Sequence, residues 1–368
     1  MEFKFDELAF VMDCPATPLS HISSNEKMEN KLIQVTIYIT RACNLNCTHC
    51  YISAGRPLNN ELNYYEWKNV IDQLKYMKIK IIYILGGEPL LRNDIFDIIK
   101  YSSSLGIYTA MSTNGTLINK TTAKKLKDTE INEVQVSIDG PNEEINSVLR
   151  GKGNFNLAIN GVKNLVDENI KTTLSYVITD SNKDYIKDMV DLAIKLNVNS
   201  INFSPVQYFG RAKINKIRIS RKYAIESYKL LKKLSEENKK IKITINGFRF
   251  YLDNLDEVYN SLIKKGLSNY YSCPAGRSRF IIDSNGDIYG CELLINRKFL
   301  EGNVRKNRIE DIWINGFKQF REDRWKKINY CSTCEISSLC QGGCVARAFN
   351  GENIYNKDPL CNFNVEHL

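Results

Sequence analysis

Between Cys43 and Cys50 the chain reads Cys43-Asn44-Leu45-Asn46-Cys47-Thr48-His49-Cys50, with three thiols at the spacing C-x3-C-x2-C. Thiolates bind iron–sulfur clusters and zinc, and their number decides which chemistry is open. Four thiolates close a four-iron, four-sulfur cluster that only carries electrons, whereas three leave one iron free to bind a substrate or cofactor. A cysteine triplet beside His49 also suits zinc, so the octet alone leaves both metals open. A second cysteine set fills the C-terminal part of the chain. Cys273, Gly286 and Cys291 follow C-x12-G-x4-C, then Cys331, Cys334, Cys340 and Cys344 follow C-x2-C-x5-C-x3-C, and Cys361 comes last. Paired C-x2-C also occurs in zinc ribbons, but seven cysteines divide poorly into sites of four thiolates.

A third motif, Gly86-Gly87-Glu88-Pro89, lies between these sets. Two adjacent glycines let a ligand approach the backbone without meeting a Cβ, and the neighbouring carboxylate can accept hydrogen bonds from an ammonium group. Taken alone, the motif is equally well a strand-to-helix turn. Asn114-Gly115 and Asp139-Gly140 are strong turn signals in their own right.

These motifs need elements to hold them. Leu32 to Thr40 alternates Ile33, Val35, Ile37 and Ile39 with polar or aromatic residues and predicts a strand ending where the first cysteines begin. Asn63-x-x-Glu66 predicts a capped helix carrying Trp67, Val70, Ile71, Leu74 and Met77 on one face. Ile79 to Leu85 is an apolar run fit for a strand buried on both faces, and a helix begins at Ile95 to Tyr101. The alternation continues with strand Ile107 to Ser112, helix Thr121 to Lys127, strand Glu133 to Ile138 and helix Phe155 to Asn169. Strand Thr172 to Ile178, helix Asp184 to Leu196 and strand Ser200 to Phe203 complete it. Six strands alternating with helices predict an α/β fold with a parallel sheet, a partial (β/α)6 barrel, and α/β barrels place their chemistry at the C-terminal strand ends. The expected organisation is an irregular lead-in over 1–30, the barrel over 31–219, a bridging region over 220–270 with a helix through Leu230, Leu231 and Leu234, and a cysteine-rich domain over 271–368.

On its cysteine triplet after the first strand and Gly86-Gly87-Glu88-Pro89 after the second, the chain resembles the radical S-adenosylmethionine (SAM) superfamily. The resemblance implies a 4Fe-4S cluster on Cys43, Cys47 and Cys50 whose free iron binds SAM. It further implies that Gly86, Gly87 and Glu88 hold the amino group of the methionine moiety, that His49 and Ser204 lie near the adenine, and that Ser112, Asn114 and Ser137 make further contacts. Arg150 would meet the cofactor carboxylate as a charge-assisted pair. The C-terminal set resembles the SPASM domain of radical SAM enzymes that modify peptides. That likeness implies two auxiliary 4Fe-4S clusters, one on Cys331, Cys334, Cys340 and Cys361, the other on Cys273, Cys291 and Cys344. Its fourth ligand is left open between Cys14, a non-cysteine group and substrate.

The resemblance implies reductive cleavage of SAM to methionine and a 5′-deoxyadenosyl radical, which abstracts hydrogen from an unreactive carbon of a peptide or protein. The expected function is a maturase that installs a crosslink, such as a thioether, or an oxidation on a ribosomally made precursor, fed by a reductase, ferredoxin or flavodoxin. Glu292, next to Cys291, is the candidate general base. Anaerobic sulfatase-maturing relatives carry an aspartate there and an extra cysteine after their first auxiliary ligand, and Pro274 to Ser278 contain none. Sulfatase-maturing-type oxidation of a protein, or tetrapyrrole side-chain modification, is a second enzyme reading. An electron-transfer protein is a third, disfavoured by the Gly86-Gly87-Glu88-Pro89 pocket.

Composition bounds the rest. The 368 residues, 43% hydrophobic, suffice for a barrel and an appendix. The longest apolar run, Ile79 to Leu85, falls far short of the ~20 residues that span a bilayer. Residues 1 to 30 lack the basic start and apolar core of a signal peptide. Eleven cysteines in such a chain fit metal ligation in a reducing cytoplasm better than disulfides, with Cys14 left over as a buried or incidental thiol. The net charge of +9 favours acidic partners but reflects a Lys-, Ile- and Asn-rich composition, and neither nucleic acid nor membrane is expected as a partner. Three histidines exclude a mechanism built on several of them.

Overall fold

The computed structural model describes residues 32–248, 273–334 and 337–361. The lead-in with Cys14 and the second half of the bridging region lie outside the described residues.

The expected alternation is present. The chain runs β1 (Gln34–Tyr38), α1 (Tyr64–Tyr76), β2 (Ile81–Leu85), α2 (Ile95–Ser104), β3 (Tyr108–Thr113), α3 (Lys120–Asp128) and β4 (Glu133–Ser137). It continues with α4 (Glu143–Arg150), α5 (Phe155–Asp167), β5 (Thr172–Ile178), α6 (Ile186–Lys195), β6 (Ser200–Pro205), α7 (Gly210–Ile214) and α8 (Arg221–Glu237). Strands β1 to β6 pair in sequence order, all parallel. The helix-facing side chains, among them Val35, Ile82, Val134 and Leu174, join Trp67, Val70 and Leu74 of α1 and their counterparts on other helices in one apolar core. The capping box at Asn63 forms as the sequence predicts: Asn63 Oδ1 accepts from the amides of Tyr65 and Glu66, and Glu66 Oε2 accepts from Asn63 N at 2.8 Å.

The sheet is wider than six strands. β7 (Lys242–Ile245) pairs parallel with β6, and β8 (Arg279–Ile282) pairs parallel with β1. β9 (Asp287–Tyr289) and β10 (Leu300–Asn303) extend it antiparallel, giving ten strands in the order β10-β9-β8-β1-β2-β3-β4-β5-β6-β7. The sheet therefore runs across the boundary expected near residue 271. The C-terminal part, which shows little apolar periodicity in sequence, has an aromatic core. Phe280 packs on Phe317 at 5.7 Å between centroids and on Trp313, while Phe299 packs edge-on to Phe349 at 4.9 Å. Among the described residues no helix is long and apolar enough to cross a membrane.

Candidate active site

The loop leaving β1 carries the first three thiols, and neighbouring segments fix it by backbone contacts. Glu61 accepts from Thr40 Oγ1 at 2.8 Å and from Arg41 N at 2.7 Å. Beyond β2, Gly87 N donates to the Thr40 carbonyl at 2.8 Å and Glu88 N to that of Ala42 at 2.7 Å. A Cβ on Gly87 would lie 2.0 Å from Ala42 O, and one on Gly86 2.6 Å from Thr40 O. Both glycines thus serve a close approach of two backbone segments, a partner that the motif alone does not reveal.

The loop is clamped from the far side of the barrel by α7, which the sequence did not announce. Gly210, at φ +53°, brings the helix start against the carbonyls of Cys50 and Tyr51. Arg211 Nε then donates to Cys47 O at 2.8 Å and Nη1 to Ala54 O at 2.6 Å, while Asn215 Nδ2 donates to Thr48 O at 2.9 Å. Arg211 follows an irregular segment without periodicity, so only its charge could have drawn notice.

Cys43, Cys47 and Cys50 are free thiols that line one cavity of about 210 Å³ at the strand ends. Burial pushes the Cys43 thiol up to about 11, with Glu88, Cys47 and Cys50 adding to the rise. Gly86 and Gly87, Ser112 and Asn114, Ser137 and Ser204 form the wall from the ends of β2, β3, β4 and β6. His49 and Arg150 complete it.

Glu88 stands outside this wall and is fully buried. Its Oε1 accepts from Thr113 Oγ1 at 2.7 Å and Leu90 N at 3.2 Å, and its Oε2 from Asn114 N at 2.8 Å. It welds the ends of β2 and β3 together, and burial raises its pKa. Asn114 in turn donates its Nδ2 to Asn44 Oδ1 of the cysteine loop at 2.8 Å.

The residue missed in the sequence is Asp139, legible there only as part of a turn. It is wholly buried, with Oδ2 2.6 Å from Arg150 Nε and 3.1 Å from His49 Nε2. Although burial opposes ionisation, Arg150 and then His49 hold its carboxyl down at about 2. The His49 Nδ1 atom is buried without a partner among the described residues.

The opposite wall comes from the C-terminal part: Glu292 and Leu293, directly after Cys291, line the same cavity. Glu292 is buried and ion-paired with Arg279 of β8. Cys331 lies within electrostatic reach of Cys340, Cys361 and Cys334, which together with burial push its thiol up to about 11. Cys344 is raised chiefly by burial, with Asp358 and Cys273 contributing, and Cys291, Cys273 and Cys344 border one apolar cluster.

Comparison with known proteins identifies two family matches. The radical SAM superfamily model matches residues 37–193, and the SPASM iron–sulfur cluster-binding domain model matches residues 273–335. The mycofactocin maturase MftC of Mycolicibacterium smegmatis is 30% identical over 89% of this chain and 82% of that protein. The Fe-coproporphyrin III synthase of Methanosarcina barkeri is 28% identical over 96% of both. Among solved structures, Streptococcus suis SuiB bound to its precursor peptide SuiA superposes with a TM-score of 0.78 at 22% identity, covering 91% of this chain and 76% of that one. The chain therefore belongs to the radical SAM superfamily, as an enzyme of the SPASM-bearing kind that works with SAM and 4Fe-4S clusters.

Proposed function

We propose that this enzyme is a peptide maturase, acting in the cytoplasm on a ribosomally made precursor. The observation that carries the reading is the shared cavity: residues of the cysteine loop face Glu292 and Leu293 across it, so a substrate held there touches both halves of the chain. The likeness to a mycofactocin maturase along most of both chains supports a peptide as that substrate.

Three convergent thiols on one loop fit a cluster with one open iron. The bound cluster and SAM supply the electron transfer and the radical that abstracts hydrogen. The chain's own residues orient and enclose the cofactor. Gly86 and Gly87 expose backbone, Arg150 brings a guanidinium fixed by Asp139, and His49, Ser112, Asn114, Ser137 and Ser204 offer polar edges. Glu88 acts from behind, by holding Asn114 and the end of β3 in place. Glu292 is the proton acceptor in this reading, since it lines the cavity next to Cys291, with Arg279 holding its carboxylate. Cys331, Cys334, Cys340 and Cys361 hold one auxiliary cluster, and Cys273, Cys291 and Cys344 the other. A low-potential ferredoxin, flavodoxin or reductase feeds the first cluster.

The test is anaerobic reconstitution, then incubation with SAM, dithionite and the short peptide encoded beside the gene. The reading expects 5′-deoxyadenosine together with a mass change in the peptide. An unmodified peptide alongside conversion of an iron coproporphyrin would replace it with the tetrapyrrole reading. No 5′-deoxyadenosine from fully loaded protein would discard both.

A further inference from the structure

The turn Gln341-Gly342-Gly343 joins Cys340, of one proposed ligand set, to Cys344, of the other, and the guanidinium of Arg324 lies beneath it. Nη2 donates to the Gly342 carbonyl and, at 3.2 Å, to that of Gly343. Nη1 donates to Ile354 O at 2.6 Å and Asn356 O at 3.4 Å, just ahead of Cys361. Gly342 and Gly343 both adopt positive φ, +76° and +77°, which turns their carbonyls toward the cation without a Cβ in the way.

Every one of these acceptors is neutral. Arg324 is only 2% exposed, and among the described residues its buried Nε has no acceptor. Asp358, the nearby carboxylate, is engaged elsewhere, by Arg347 Nη2 at 2.9 Å and by the amides of Cys344 at 2.7 Å and Leu360 at 3.0 Å. Among the described residues Arg324 forms no salt bridge. A buried guanidinium stays charged, and leaving it without a counter-charge is costly. The turn it holds ends in a ligand of each set, Cys340 and Cys344, and the acidic groups that act on it are Cys344, Asp358, Cys331 and Cys273, whose three cysteines come from both sets.

We propose that Arg324 is the shared counter-cation of the two auxiliary clusters and holds both of their reduction potentials up. The proposal rests on the ligand sets given above. A cluster bound by thiolates is anionic and becomes more so on reduction, so a fixed cation in poorly polarisable surroundings favours the reduced form. One guanidinium bonded to the turn that joins the two sets ties their potentials to a single charge. Such a pair accepts electrons from a substrate radical more readily than it would without that charge.

The test is a potentiometric titration of reconstituted full-length protein, followed by electron paramagnetic resonance and iron analysis, in wild type, Arg324→Gln and Arg324→Lys. Wild-type protein with fewer than two auxiliary clusters would sink the ligand sets themselves. With those clusters present, Arg324→Gln is expected to lower both auxiliary midpoints and leave the SAM-binding cluster where it was. Arg324→Lys keeps the charge, loses the planar fork and is expected to restore both midpoints toward wild type. Unchanged midpoints in a fully loaded Arg324→Gln overturn the proposal. If Arg324→Gln does not load, Arg324→Lys decides: near-wild-type midpoints support the role of the charge, and equal failure to load assigns Arg324 to the fold instead.

Discussion

Asp139 Oδ2 lies 2.6 Å from Arg150 Nε, both side chains buried, with Arg150 in the wall of the cavity that would hold SAM. Asp139→Asn keeps the shape and removes the charge, leaving the guanidinium uncompensated. The expected cost is about 3 kcal/mol of stability, the usual penalty for breaking a buried pair. SAM binding should weaken as well, because Arg150 and His49 both lose the group that orients them. Urea unfolding and equilibrium SAM binding check the two effects separately.

The same carboxylate gives the barrel a pH signature. Its folded pKa is depressed to about 2, below the ordinary carboxylate value. The stability it contributes is therefore complete above the unfolded value of about 4 and is lost as pH falls toward the folded one. In metal-free protein the gap in unfolding free energy between wild type and Asp139→Asn should be constant from neutral pH to about 5 and should narrow below about 4. A gap that widens with acid contradicts this.

Gly87→Ala should cost the enzyme its first cluster. The new Cβ would sit 2.0 Å from Ala42 O, so the cysteine loop must move away from β2. Gly55→Ala, where nothing lies within 4 Å, is the control on the same loop. Iron content should fall by the share of that one 4Fe-4S cluster, about a third of the total, and SAM cleavage should collapse in the first variant, while both survive in the second.

Arg211→Gln removes the donors to the Cys47 and Ala54 carbonyls. Two half-buried acceptors left unpaired should cost about 1 kcal/mol locally. The expected outcome is faster loss of the first cluster to an iron chelator under anaerobic conditions, with the auxiliary clusters unaffected.

Cys47→Ala and Cys334→Ala should separate the two halves of the chemistry. The first abolishes 5′-deoxyadenosine formation. The second impairs product formation and the fold of the C-terminal part while leaving uncoupled SAM cleavage measurable. Full turnover by Cys334→Ala would remove its cluster from the reaction.

Much of the barrel was legible because its strands are buried on both faces and its helices are amphipathic. Thr172–Ile178 falls where the pattern placed it, and the other five core strands differ only at their ends. Helix α4 escaped because it is only eight residues long, follows an Asp-Gly-Pro turn and leaves one of its few apolar residues, Val148, exposed. β8 escaped for a different reason: its partner is the first strand, and pairing at that range leaves no local mark. The cysteine groups were legible from spacing and resemblance together. Asp139 and Arg324 were not, since each matters through contacts made by distant segments.

The pairing of β8 with β1 also bears on how the chain is made. β1 leaves the ribosome long before β8 exists, so one edge of the nascent barrel, rich in valine and isoleucine, stays uncovered through most of translation. Chaperone supply and slow growth temperature should then govern the yield of active enzyme, and truncation before residue 279 should give an aggregating fragment rather than a smaller working one.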